Sequence, residues 1–264
     1  MNVILIVETF VAFIIALSLH EAAHAGMATI LGDSTPAGDG RLSLAPTRHM
    51  AAIGTIVAIV SCVSTFPGGL GWGRPVDIDA RRMRGGPNTG LLLVALAGPT
   101  MNAIIGTGLA LGLHAIPGFG ALSSRAIQCS GTSGFGVSLQ KCLSTAQSPY
   151  LIRVEQFLIV LAVTNILIAL VNIIPLHPLD GYRVLYAILP TRQALAFRNY
   201  EQYMEFMLLV LFFVVPYLFA IVGLGASPTT WLGLLTNPGQ WLIVHANMLA
   251  SRAIGPVAGI YVLL

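Results

Sequence analysis

His20-Glu21-Ala22-Ala23-His24 places two imidazoles at i and i+4, on one face of a helix, where they can share a divalent ion. The glutamate between them stands where it can take a proton from a water activated by that ion. The motif lies near the end of an apolar stretch that starts almost at Met1, and from Val3 to Leu19 the only charged residue is Glu8. Ionisable groups are costly inside a bilayer and read there as functional. The chemistry these residues offer is metal-assisted hydrolysis, carried out within a membrane.

Two histidines leave a catalytic zinc site one protein ligand short. The stretch Asn172-Ile173-Ile174-Pro175-Leu176-His177-Pro178-Leu179-Asp180-Gly181 supplies a candidate in Asp180, the only acidic residue between Glu155 and Glu201. Pro175 and Pro178 break the helical pattern after an apolar span, and irregular backbone at membrane depth is tolerated only where it is buried in protein or lines a cavity. A helix N-cap at the interface is the alternative role for Asp180, and His177 competes as the ligand. His49, His114 and His245 are isolated and read as interfacial or packing residues.

The elements that must position these groups are apolar helices. The chain of 264 residues is 56% hydrophobic and 9% charged, against about 25% charged in soluble domains. Apolar runs cover Val3–Ile30, Thr89–Ile116, Gln156–Ile174 and Phe206–Leu224, each near the ~20 residues a span requires, with a weaker run over Trp241–Leu264. Ile53–Phe66 is shorter and ends in Pro67-Gly68-Gly69, which predicts a re-entrant segment. The first run has no basic leader and contains the histidine motif, so it is not expected to be a cleaved signal peptide.

If the first helix runs inward, nine arginines (41, 48, 74, 81, 82, 84, 183, 192 and 198) face the cytoplasm, and Arg125, Lys141 and Arg153 face outward. This fits the positive-inside rule. The net charge of +3 is thus a topology signal, and no nucleic-acid partner is expected. Cys129 and Cys142 share the polar loop 117–152 on the outer side, where an oxidising compartment permits a disulfide; two free thiols are the alternative. Cys62 reads as a small buried apolar residue.

The motif on the first helix, Leu96-Ala97-Gly98-Pro99-Thr100-Met101-Asn102 on a second, and Asn172…Pro175…Pro178-Leu179-Asp180-Gly181 on a third together resemble the site-2 protease family of intramembrane zinc metalloproteases. Gly40-Arg41-Leu42-Ser43-Leu44-Ala45-Pro46…His49…Ile53-Gly54-Thr55 and Gly71-Trp72-Gly73-Arg74-Pro75-Val76 are similar to a short bacterial branch without a PDZ domain. The resemblance implies one Zn²⁺ per chain held by His20, His24 and Asp180, Glu21 as general base, and Asn102 and Asn172 near the site, positioning substrate or an oxyanion. It implies an all-α polytopic membrane protein of the bacterial inner membrane, with its active site towards the cytoplasm. The expected three-helix core over residues 1–190 includes a re-entrant and edge-strand segment (50–80) and the exported loop 117–152; further helices fill 191–264. At 36 residues, that loop is too short for a PDZ module.

The glycine-rich segment 68–76 suits a strand with one open edge, on which Gly71, Trp72 and Gly73 would receive an unwound substrate by β-augmentation. An interfacial turn anchored by Trp72 is the competing reading. The expected partners are a single-span membrane protein and the bilayer, with regulated intramembrane proteolysis as the activity. The alternatives are a proteolytically silent metal-binding scaffold, against which Glu21 argues because it serves chemistry rather than ligation, and a metal or ion transporter, which would place more polar residues along its spans.

Overall fold

The computed structural model describes residues 3–63, 71–115 and 149–221. Helix α1 (Val3–Leu31), α4 (Pro87–Ala115) and α5 (Pro149–Val171) pack on one another and form the centre of the molecule. The short α2 (Thr35–Gly38) and α3 (Ala52–Val63) lie against α1, and α6 (Asp180–Ile188) lies against α4. Helices α7 (Thr191–Arg198) and α8 (Glu201–Leu209) follow, and a π-helical turn at Val210–Val214 leads into α9 (Val215–Ile221).

The helix interfaces are built from small residues. Ala12, Ala16, Ala25 and Ala28 of α1, Ala95 and Ala110 of α4, and Ala162 of α5 are all buried. A Cβ on Gly106 of α4 would stand 2.9 Å from the Ala162 carbonyl oxygen, so the two backbones approach to a distance only glycine permits. Small-residue packing of this kind brings helices together where the surrounding solvent is as apolar as the side chains. The outer faces are apolar too: Val3 and Val7 of α1, Ile56 of α3, Ile104 and Leu111 of α4 and Phe206 of α8 are exposed. Helices apolar on every face fit a bilayer. Ile6–Leu31 and Pro87–Leu113 are long and apolar enough to cross one.

The third apolar stretch forms α5, Pro149–Val171, whose segment Phe157–Val171 is apolar. Among the described residues the expected edge strand reduces to one antiparallel bridge, between Met50 and Gly73. Pairing stops there because the chain on the other side turns directly into a 3₁₀ turn at Pro46–Arg48 and into α3, leaving no extended partner. The bridge sets Met50, just before α3, against Gly73. Cys129, Cys142, most of loop 117–152 and the run 241–264 lie outside the described residues.

Two connections hold this frame. Gly85 and Gly86 both take positive φ (86° and 94°), a turn that side chains would strain, and Pro87 then opens α4 at the position where its missing N–H costs nothing. Asp33, just past α1 and wholly buried, accepts from the Thr35 N–H (3.0 Å) and hydroxyl (2.6 Å) and from the Asp79 N–H (2.7 Å). The Arg84 N–H donates to the Leu31 carbonyl (2.8 Å). The chain between the bridge and α4 is therefore tied to the end of the histidine-bearing helix.

Candidate metal centre

His20 and His24 sit one turn apart on α1, with ring centroids 4.6 Å apart and planes nearly perpendicular. Asp180 is the first residue of α6, where the helix dipole favours a carboxylate. Its Oδ2 lies 2.9 Å from His20 Nε2 and 3.2 Å from His24 Nε2, and the two Nε2 atoms are 3.0 Å apart. All three side chains are buried. His24 Nδ1 donates to the Val94 carbonyl of α4 (2.6 Å), which leaves its Nε2 as a bare lone pair facing the other two ligand atoms.

Three electron-rich atoms converging within 4.8 Å of one another repel unless a cation sits among them. The chemistry of the set, two imidazole nitrogens and one carboxylate oxygen, fits zinc with a fourth position left for water.

Asn172 organises the ligand loop. Its Oδ1 accepts from the Asp180 N–H (3.4 Å), its backbone carbonyl accepts from the Gly181 N–H (2.7 Å), and its Nδ2 donates to the Ile168 carbonyl (2.9 Å). The turn 172–179 carries the break that Pro175 and Pro178 predict, and α6 restarts at the ligand itself. His177, the rival ligand, points elsewhere: its Nε2 lies 3.5 Å from Glu201 of α8.

The remaining candidate residues separate. Glu21 is buried beside the ligands and lines one cavity with His20, His24, Asp180, Asn172, Gly71, Trp72, Gly73 and Arg183. That cavity has a volume of about 30 Å³, room for ordered water but not for a peptide segment. A Cβ on Gly73 would collide with Glu21 Oε1 and come within 3.0 Å of the His49 carbonyl. Trp72 is 8% exposed and joins the hydrophobic core, so it packs inward and does not anchor at a surface. Asn102 is completely buried on α4 and does not line the cavity; neither its Oδ1 nor its Nδ2 has a partner among the described residues. His49 is a buried packing residue whose Nε2 meets the Ser43 carbonyl.

Three contributors receive no site role from the sequence, although Gly98 and Arg41 lie within quoted motifs. Gly98 lies flat against both imidazoles, and a methyl there would overlap His24 Nε2 and stand 2.7 Å from His20 Nε2. Its place beside Pro99, where the helical ladder is interrupted, is the available clue. Arg41, buried and without a carboxylate partner among the described residues, donates to the carbonyls of Arg48 (2.5 Å), Arg74 (3.3 Å) and Pro75 (3.0 Å), pinning the segment after Gly73 in place. Arg183 follows Asp180 by three residues, a spacing that shares a helix face.

Residues 8–215 match peptidase family M50. A relative from Bacillus subtilis (strain 168), "Putative zinc metalloprotease YwhC", is 31% identical over 209 residues, covering 78% of this chain and 80% of the relative. No solved structure matches the chain.

Proposed function

Because the chain belongs to peptidase family M50, the site-2 protease family, we propose that it is an intramembrane zinc endopeptidase that cuts the transmembrane segment of a single-span membrane protein. The observation that carries this reading is the convergence of His20, His24 and Asp180 beside Glu21 on helices whose outer faces are apolar. One zinc per chain would be held by the three ligands. When bound, it supplies Lewis acidity and lowers the pKa of its water towards ~7.

The protein groups supply the rest. Glu21 takes a proton from the attacking water as the water oxygen bonds to the scissile carbonyl carbon and the carbonyl π pair moves onto its oxygen. When that pair returns, the C–N bond breaks and Glu21 gives the proton to the leaving nitrogen. In the Met50–Gly73 bridge the Arg74 N–H bonds to the His49 carbonyl (2.7 Å). The N–H and C=O of Gly73 itself face the opposite edge. An unwound substrate segment pairing there would lie beside Glu21. A cavity of this size must open to admit it, and the 71–75 segment is the wall that would move.

The Met50–Gly73 bridge, with α3 between its two residues, supports a re-entrant element rather than a crossing, which would put the arginines of 74–84 on the same side as Arg41 and Arg48. By the positive-inside rule that side is cytoplasmic, and water would reach the metal from there: at ~1.5 Å per residue, His20 lies about 25 Å along α1 from Val3. The substrates proposed for this class are anti-sigma factors, tethered transcription factors and remnant signal peptides. The test is to reconstitute the protein with a single-span substrate and to map the cut by mass spectrometry. A scissile bond inside the hydrophobic segment is the expected result; cuts confined to flanking loops would overturn the intramembrane reading.

A further inference from the structure

Hydrolysis of a peptide bond places a negative charge on the scissile carbonyl oxygen, and a protein group must meet it. The two asparagines that resemblance brings forward are poorly placed for this. Asn102 does not line the cavity, and Asn172 is engaged at both ends of its carboxamide, by the Asp180 N–H and the Ile168 carbonyl.

Arg183 differs from both. It is half-buried in the second turn's approach of α6, three residues beyond Asp180, and lines the same cavity as Glu21 and the three ligands. Among the described residues it has neither an ion pair nor a hydrogen bond: Asp180 Oδ2 is shared between the two imidazoles, and the other ion pairs lie at Arg82–Asp79 and His177–Glu201. A half-buried guanidinium that lines the cavity with no hydrogen bond of its own keeps its donors available to an acceptor arriving there.

Resting on the protease reading above, the nature of that acceptor follows. A hydrophobic substrate segment brings no carboxylate of its own, so the anion that forms in this cavity is the oxygen of the attacked carbonyl. We infer that Arg183 is a catalytic residue whose guanidinium donates to that oxygen as the tetrahedral intermediate forms. As the water oxygen bonds to carbon and its proton passes to Glu21, the π pair settles on an oxygen facing Arg183, and the contact relaxes when the pair rebuilds the carbonyl and expels the nitrogen.

The test compares wild type with Arg183→Gln and Arg183→Lys, all loaded with zinc. Zinc content should be unchanged. Turnover of the single-span substrate should fall about 10²–10³-fold in Arg183→Gln, with KM within about threefold and partial recovery in Arg183→Lys. An independent readout is binding of a phosphinic peptide, whose anionic tetrahedral oxygen stands in for the intermediate. Its affinity should fall by a similar factor in Arg183→Gln. Unchanged turnover and phosphinate affinity, a rise in KM alone, or loss of zinc would each overturn the assignment. If zinc-loaded wild type cleaves nothing, the protease reading fails, and the phosphinic peptide still decides whether Arg183 meets an anion.

Discussion

Gly73 and Glu21 face each other with no space for a side chain between them: a methyl on Gly73 would collide with Glu21 Oε1. The proposed general base and the proposed substrate edge are thus in contact, on elements some fifty residues apart in sequence. Gly73→Ala should therefore displace Glu21 and lower turnover by about 10²-fold, the cost of roughly 1 Å of misplacement. Zinc content should stay at the wild-type value, because the atoms nearest a Gly73 methyl belong to Glu21 and His49. Metal analysis alongside a cleavage assay checks both halves.

Gly98 predicts the opposite pattern. A methyl there strikes His24 Nε2 and crowds His20, so Gly98→Ala should weaken zinc binding about 10–100-fold or more, in the range of disturbed ligand support. Competition with a calibrated chelator measures it. Wild-type affinity in this variant would mean that the imidazoles turn away from Gly98 when metal is bound.

Arg41 holds three backbone carbonyls around the Gly73 segment. Arg41→Ala leaves those carbonyls short of a charged donor, and at about 1.5–3 kcal/mol per such hydrogen bond it should cost roughly 3 kcal/mol or more. Thermal unfolding in detergent should show a clear drop. Turnover should fall further than zinc affinity, since Arg41 supports the edge and not the ligands.

Asp33 gives a pH dependence outside the membrane-spanning segments. Burial disfavours its charge, but the Thr35 hydroxyl, the Thr35 N–H and the Asp79 N–H outweigh that and hold its pKa below the ordinary carboxylate value of 3.8. A carboxylate with a lowered folded pKa stabilises the fold above its unfolded pKa, and that contribution is lost as pH falls through the folded value. The stability difference between wild type and Asp33→Asn should be constant above about pH 5 and shrink below pH 3.8. A difference that grows on acidification would contradict the sign.

Local spacing made the two histidines and Glu21 legible, because i, i+4 geometry is intrinsic to a helix. Asp180 was legible by scarcity, as a lone acid after a proline-broken turn. Gly98, Arg41 and Arg183 were not assignable, because their roles depend on contacts between distant elements: a glycine on one helix touching imidazoles of another, an arginine reaching carbonyls more than thirty residues away. In a chain of this composition, arginines also read first as topology signals, which masks the two that sit at the site. The edge strand was overread for the same reason: glycine-rich patterning permits extension, but the length of pairing is set by the partner, and here the partner turns away after Met50.

The most direct measurement is substrate cleavage by reconstituted wild type and Glu21→Gln, with zinc quantified in the same samples. Glu21 lines the cavity beside His20, His24 and Asp180 without belonging to the ligand set. The predicted result is about one zinc per chain in both proteins, cleavage by wild type, and a fall of at least about 10²-fold in Glu21→Gln, in the range for loss of a general base. Equal cleavage by the two proteins, or loss of zinc from Glu21→Gln, would contradict the account.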